Sequence, residues 1–316
     1  MLTKFKNNFF LQILFLVLLL ITLGSFINSS YLILILNIIG LNTLIVIGIN
    51  LLVGYAGQIS LGHAAFYGIG AYSSAILTTT YNYNPWLAII IAAVITALIA
   101  FLIGKPSLKL KGHYLVMATL GFNIIVSITL VQWEEFTGGP SGIPGIPYLE
   151  IGSFSFDSDK KIFFLIWFFA VMSLIIAYNL VNSRVGRALK ALHSSEVAAS
   201  SLGVNVSQYK VKIFVLSAVM ASVAGSLYAH YVTFISPKSF DIIFSIKIVI
   251  MSIFGGISTI WGALIGSATL TILGELLTYV EDYSTIALGL ILVITLMFIP
   301  EGVVGYLKNK FNLMNN

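Results

Sequence analysis

From Phe9 to Ile27, and again from Tyr31 to Val53, the chain runs without a single charged side chain. Runs of this kind recur to the C-terminal end, and about 20 apolar residues suffice for a helix to cross the hydrocarbon core of a bilayer. Candidate spans fall at 9–27, 31–53, 58–80, 86–104, 113–132, 161–182, 210–235, 242–260, 261–278 and 284–302. Only 9% of the residues are charged, against about a quarter in soluble globular domains. No stretch is polar enough for a separate soluble domain, so residues 1–316 read as one integral membrane domain, all-α and polytopic, with about ten transmembrane helices. The absence of cysteine excludes a disulfide framework and thiolate chemistry. The run at Phe9–Ile27 exceeds the usual apolar region of a signal peptide and has no small-x-small cleavage site after it, so it is expected to be a retained first helix.

Basic residues favour the cytoplasmic side of a membrane. With the N-terminus inside, the inner loops receive Lys4, Lys6, Lys105, Lys109, Lys111, Arg184, Arg187, Lys190, Lys210, Lys212, Lys308 and Lys310. The outer loops receive Lys160, Lys161 and Lys238 together with Glu134, Glu135, Glu150, Asp157, Asp159, Asp241, Glu281 and Asp282. This sorting puts both termini in the cytoplasm of a cell-membrane protein. It also accounts for the formal charge of +5 as a topology signal rather than a nucleic-acid signal. The break "GGIST" at 255–259 leaves two possibilities for 242–278, a pair of full crossings or a re-entrant pair.

Two loops are long. The outer one, 133–160, is rich in glycine, proline and aromatics and is expected to form a structured cap. The inner one, 183–212, has a helix-like centre in which Leu189, Leu192, Val197 and Leu202 form a partly apolar face. Such an element can lie on the membrane surface or dock a partner.

Residues 54–72, "GYAGQISLGHAAFYGIGAY", are unusually rich in glycine for a span. Small residues let helices approach closely where lipid supplies no hydrophobic force between them. Ser60, Ala64, Gly68, Ala71 and Ala75 form one such stripe, Ala218, Ser222, Gly225 and Ala229 another, and Gly262 with Gly266 a GxxxG pair. Gly54 and Gly57 can supply the positive φ of a tight turn. Close packing explains these residues. Interrupted segments at Gly54–Gly70 and Gly255–Gly266 that line a polar path also explain them, and both readings can hold together.

Ionisable residues within spans are costly and mark function by default; here they are His63, His230, Lys247 and Glu275. Lys247 and Glu275 fit a salt bridge or snorkelling, and His63 fits a satisfied structural histidine on the glycine-rich segment. His113 and His193 sit at inner edges, and no metal-ligand pairing such as H-E-x-x-H occurs. An ion-coupled carrier needs buried carboxylates, and Glu275 stands nearly alone. An ATP-driven machine needs GxxxxGK[ST], which "IGKPS" at 103–107 does not satisfy. Energy for uphill transport would therefore come from another polypeptide, entering through the inner loop.

Six segments carry a resemblance. They are "NLLVGYAGQISLGHAAFYGIGAYSSAIL" (50–77), "GHYLVMATLGF" (112–122), "TGGPSGIPGIP" (137–147), "SRVGRALKALHSSEVAASSLGVN" (183–205), "KIFVLSAVMASVAGSLYAHYVTFISPKSF" (212–240) and "FGGISTIWGALIGSATL" (254–270). In this order they resemble the LivM-type permease subunits of branched-chain amino acid ABC importers. The resemblance implies an ABC importer permease fold with a cytoplasmic coupling helix. It also implies a LivH-like second permease, two cytoplasmic ATPases and an extracytoplasmic solute-binding protein. ATP and Mg would bind to the ATPases, with no cofactor, catalytic residue or metal in this chain. The usual coupling pattern is E-A-A-x-x-x-G; Ala198, Ala199 and Gly203 keep its spacing, whereas Glu196 stands one residue early because Val197 intervenes. The solute route would be flanked by Gly54, Gly57, Gln58, Ser60, His63, Gly68 and Gly70 and by Gly255, Gly256, Gly262 and Gly266. Rival readings are a permease for urea or short amides and an ion-coupled secondary carrier; no clustered Ser, His and carboxylate set supports a membrane-embedded enzyme.

Overall fold

The computed structural model describes residues 9–277 apart from Lys111, together with 289, 290, 293, 297 and 302–306. The expected tenth span at 284–302 and Glu281, Asp282, Lys4, Lys6, Lys308 and Lys310 lie wholly or largely outside the described residues.

The apolar runs fold as helices: α1 (Phe9–Phe26), α2 (Ser30–Ile49), α3 (His63–Thr79), α4 (Pro85–Ser107) and α5 (His113–Gln132). After the short α6 (Glu134–Thr137) follow α7 (Asp159–Asn182), α8 (Arg184–Ser194), α9 (Glu196–Ser201), α10 (Val206–Val232), α11 (Ile242–Gly255) and α12 (Ile260–Leu277). α2 continues into a π-helical segment, Asn50–Tyr55. Among the described residues seven helices are long and apolar enough to cross a membrane, namely α1, α2 with its π-helical extension, α4, α5, α7, α10 and α12. The chain is a multi-pass membrane protein. Of the ten expected crossings, 284–302 lies largely outside the described residues, and two more fall short of such a helix because α3 has 17 residues and α11 only 14.

Local chemistry sets several of the ends. Asn84 caps α4 by accepting from the Trp86 amide at 2.9 Å, with Pro85 in the first turn where its missing N–H costs nothing. Asp241 caps α11 through the Phe244 amide at 2.9 Å. The 133–160 segment is structured as expected. It holds α6, a 3-10 turn at Gly139–Ser141 and two short antiparallel ladders. In these, β1 (Ile143–Pro144) pairs with β4 (Phe234–Ile235), and β2 (Glu150–Ile151) with β3 (Phe154–Ser155).

α2 is the centre of the fold: every residue from 39 to 56 is buried, packed by α7, α10 and α12. α3 and α10 lie side by side and parallel, as three contacts in matching order show. His63 meets Ser217 at 3.0 Å, Ser226 donates to the Gly70 carbonyl at 3.0 Å, and Ser74 meets His230 at 2.8 Å. A Cβ at Gly70 would fall against the Ser222 backbone and one at Gly225 on the Tyr67 carbonyl. The small-residue stripes therefore serve close approach, except that Ser60 lies outside α3, which begins at His63. The Gly262–Gly266 pair faces α11 in an antiparallel hairpin, with Gly255 on the Gly262 carbonyl and Gly266 on that of Met251.

α11 is short because it starts partway along α3. The 3-10 turn Pro237–Phe240 brings Phe240 against Gly68, and Ser245 accepts from the Ala64 amide at 2.9 Å. At 1.5 Å per residue, α11 covers about 21 Å and α12 about 27 Å. The 242–278 region is thus one short and one nearly full-length helix, joined at 256–259.

Candidate functional site

The two glycine-bearing interruptions meet. A Cβ at Gly54 would land on the Ile257 carbonyl, so the π-helical end of α2 touches the α11–α12 break backbone to backbone. Asn50 donates to the Thr259 carbonyl at 3.0 Å and accepts from the Ser252 hydroxyl, and the Tyr55 hydroxyl donates to the Ser258 carbonyl at 2.9 Å. Gly57, at φ +66°, makes the turn expected of it. Gly54 does not: it lies within the π-helix, and its contribution is the close approach to Ile257. Gly256, at φ +115°, ends α11.

Between Gly57 and His63 the chain leaves helical geometry and runs irregularly, with a bend at Leu61. Its backbone at Leu61 is met by side chains from α5. The Leu61 amide donates to Thr119 Oγ1 at 3.1 Å, and the Leu61 carbonyl accepts from Asn123 Nδ2 at 3.2 Å. Asn123 Nδ2 also donates to Ser245 Oγ at 3.0 Å, and the Gly62 amide reaches Ser60 Oγ at 3.3 Å. Ser217 gives its hydroxyl proton to the Phe214 carbonyl at 2.9 Å, so the 3.0 Å contact with His63 is a donation from Nε2. His63 Nδ1 is then a bare acceptor. Four buried atoms here have no protein partner: both amide atoms of Gln58, His63 Nδ1 and Asn123 Oδ1. Gln58 is only 3% exposed, and buried polar groups are normally hydrogen-bonded. Ser217 lies seven residues, about 10 Å, along α10 from Lys210.

Beyond this polar stretch α3 carries an aromatic cluster. Tyr67 stands 5.4 Å from Phe240, 5.1 Å from Phe244 and 5.7 Å from Tyr228, and Tyr72 stands 5.7 Å from Phe240, ring centroid to ring centroid. Gly68 forms the floor beneath Phe240, which a Cβ there would meet at 3.1 Å. His230 Nδ1 donates to the Pro147 carbonyl at 2.7 Å, tying the 133–160 segment to α10, while Nε2 accepts from Ser74. A polar cavity of about 660 Å³, lined by residues such as Thr78, Asn82, Tyr83, Tyr148 and Glu150, opens beside it.

The 183–212 segment folds as two helices rather than one. Ser195 is extended and caps α9 by accepting from the Ala198 amide. α8 keeps Leu189 and Leu192 buried, as the apolar pattern requires, and it packs on the π-helical end of α2. Its His193 borders Gly57, with Nδ1 3.1 Å from where a Cβ would stand, and Lys190 Nζ lies 5.8 Å above the Tyr55 ring. Val197 and Leu202, expected on the same face as Leu189, are instead 74% and 81% exposed. Ala199 is buried, and Gly203 follows α9 at φ +80°. Glu196 turns inward and pairs with Lys210. Farther up the α11–α12 hairpin, Lys247 reaches toward Gly274 and Glu275 accepts from the Tyr31 hydroxyl at 2.8 Å.

Gly54 thus meets the α11–α12 break next to Gly256, Gly57 borders α8, Gln58, Ser60 and His63 lie on or at the end of the non-helical stretch, and Gly255 belongs to the hairpin. Gly68 and Gly70 serve the α10 and Phe240 contacts, and Gly262 and Gly266 the hairpin. Asn123, Ser217, Ser245 and Phe240 are the participants the sequence reading passed over. Their only local signal is polarity, or a lone proline-led turn, within apolar runs.

Residues 31–299 match the family described as branched-chain amino acid transport system / permease component. The chain is 32% identical over 292 residues to the high-affinity branched-chain amino acid transport system permease protein LivM of Escherichia coli (strain K12), across 85% of this chain and 69% of that protein. It is 27% identical over 281 residues to the corresponding permease protein LivH of the same organism, across 83% of this chain and 90% of that protein. It is also 29% identical over 191 residues to the nucleoside ABC transporter permease protein NupC of Lactococcus lactis subsp. cremoris, across 56% and 60% of the two chains.

Proposed function

The chain belongs to the branched-chain amino acid transport permease family, and on that premise we propose that it is the membrane-spanning permease subunit of an ATP-driven importer for leucine, isoleucine and valine. Both termini and the α8–α9 segment lie in the cytoplasm, and the 133–160 segment faces outward. A LivH-like second permease completes the path, two ATPases that bind ATP and Mg dock on α8 and α9, and an extracytoplasmic binding protein delivers the solute. The chain performs no covalent chemistry.

One observation carries the reading: α8 packs against the point where both helix interruptions meet. His193 abuts Gly57, Lys190 covers Tyr55, and Tyr55 holds the Ser258 carbonyl. A displacement of α8 by the closing ATPases reaches the α2–α3 and α11–α12 breaks through three contacts. The bundle then alternates between outward and inward openings, with 54–70 and 255–266 flanking the route. Val197 and Leu202, exposed beside Ala198 and Gly203, are the apolar knobs for a groove on the ATPase.

Uptake of radiolabelled leucine, urea and uridine in cells with and without this gene tests the reading. Leucine uptake is expected to depend on the gene. Leucine uptake equal in both strains overturns the amino-acid assignment, and gene-dependent uridine uptake would establish the nucleoside alternative that the likeness to NupC favours. Gradient-driven uptake by the purified chain alone in liposomes would remove the ABC reading in favour of an ion-coupled carrier.

A further inference from the structure

We propose that the non-helical segment 57–62, the first turn of α3 and Asn123 form a binding station for the ammonium and carboxylate groups of the solute, with Gln58 Oε1, His63 Nδ1 and Asn123 Oδ1 accepting from the ammonium. This inference rests on the importer reading and adds to it the residues that hold the solute and the chemical group they select.

Asn123 donates both of its recorded bonds from Nδ2, which leaves Oδ1 as a bare acceptor. The Ser217 hydroxyl is committed to the Phe214 carbonyl, which fixes the proton of His63 on Nε2 and leaves Nδ1 bare. Gln58 adds a third acceptor and an amide with two donors, none of them paired. Each of these atoms belongs to residues 58–63 or to a side chain bonded directly to Leu61. Leaving such a group buried and unmet is costly, so four of them on Gln58, His63 and the Asn123 side chain bonded to Leu61 point to a guest that meets them.

The pattern of donors and acceptors selects the guest. Three neutral acceptors match the three N–H bonds of a primary ammonium. The unpaired amide donors of Gln58 suit a carboxylate, and the positive end of the α3 dipole lies beside them, although the Ala64 amide in its first turn is already held by Ser245. A zwitterion satisfies both halves and brings no net charge into a set of residues (Gln58, Ser60, Thr119, Asn123, Ser217, Ser245) that has none. A free carboxylic acid would leave the three acceptors unmet, and a simple amine would set its charge against the positive end of the helix. Access is short: Gly57 and Ile59, on either side of the buried Gln58, are exposed.

The lack of cysteine in the chain allows a direct test. Ile59→Cys, exposed beside the buried Gln58, is introduced into the complete importer in membrane vesicles and treated with 2-aminoethyl methanethiosulfonate, with modification read from the mass of this chain. The thiol is expected to react, and leucine at ten times its half-saturating concentration is expected to slow the reaction about tenfold by mass action. Adding Asn123→Leu should abolish the protection while the thiol still reacts. Leu61→Cys is the second probe should Ile59→Cys fail to assemble. The proposal is overturned if neither thiol reacts in any nucleotide state, if leucine gives no protection, or if protection survives Asn123→Leu. Leucine uptake by the unmodified importer in the same vesicles reports on the transport reading separately, because that reading can hold with the station absent.

Discussion

Lys210 at the base of α10 and Glu196 in the first turn of α9 form an ion pair in which the lysine side chain is only 6% exposed and the glutamate 34%. The pair fastens the short α9 to the long helix that follows it. The position resembling the acidic residue of a coupling motif is therefore committed within the chain rather than offered outward.

Removing one partner should hurt more than removing both. Breaking a buried pair costs about 3–5 kcal/mol because a charge is left unmet, whereas apolar replacement of both partners is often close to neutral. Glu196→Gln should cost near or below the lower end of that range, given its partial exposure. The double variant Glu196→Leu with Lys210→Met should recover most of the loss. Thermal unfolding in detergent measures both, and equal losses would contradict the pairing argument.

A methyl group at Gly54 meets the Ile257 carbonyl. Overpacking costs about 1–3 kcal/mol where side chains can give, and backbone gives less readily, so Gly54→Ala should lose at least that much and lower the folded yield. Gly121 on α5 has nothing within 4 Å of its Cβ position. Gly121→Ala should be neutral or stabilise by up to about 1 kcal/mol through helix propensity. The contrast between the two substitutions, read by melting temperature, is the measurement.

Val197→Asp and Leu202→Asp should leave the fold intact, since exposed substitutions usually fall within about 0.5 kcal/mol, while ATP-driven leucine uptake collapses. Gly203→Val should also uncouple uptake with the protein retained in the membrane, at a backbone strain of about 1–2 kcal/mol for its positive φ. Normal uptake by all three would place ATPase docking elsewhere.

Phe240 is enclosed by Tyr67, Tyr72 and Tyr228 over Gly68. Phe240→Ala should cost about 3–5 kcal/mol, the usual range for emptying a buried aromatic site. Unfolding of the Phe240→Leu variant at nearly wild-type temperature, beside a large loss for alanine, would confirm that volume is what matters.

Sidedness is testable with two thiols. Ser200→Cys on α9 should react with an impermeant maleimide only from the cytosolic face, and Ser153→Cys, between β2 and β3, only from outside. Reaction of Ser200→Cys in intact cells would invert the arrangement.

The long helices were legible because uncharged apolar runs have few other solutions in lipid. So was the interruption at Gly54–Gly57, since Gly57 sits at a positive φ that glycine readily adopts. The shortness of α11 was not legible. Residues 242–254 are apolar apart from Ser245, Lys247 and Ser252, and the depth at which the helix starts is decided by Phe240 resting on Gly68. Val197 and Leu202 were misplaced because one continuous helix was read through Ser195. The break there resets the phase, which advances about 100° per residue. The bare acceptors of His63 and Asn123 depend on Ser217 and Ser245, partners more than 100 positions away, and no local pattern encodes them.

The parallel contact of α3 with α10, in which Gly70 and Gly225 place backbone directly on backbone, leaves almost no side-chain cushion to absorb a shove. These two helices behave as a single strut, so bending must concentrate where the strut is moored. On the α3 side that mooring is the non-helical stretch ending at Gly62. On the α10 side it is the turn at Gly203. Stiffening either mooring, for instance with a proline compatible with its backbone, should slow the conformational cycle without weakening the resting structure.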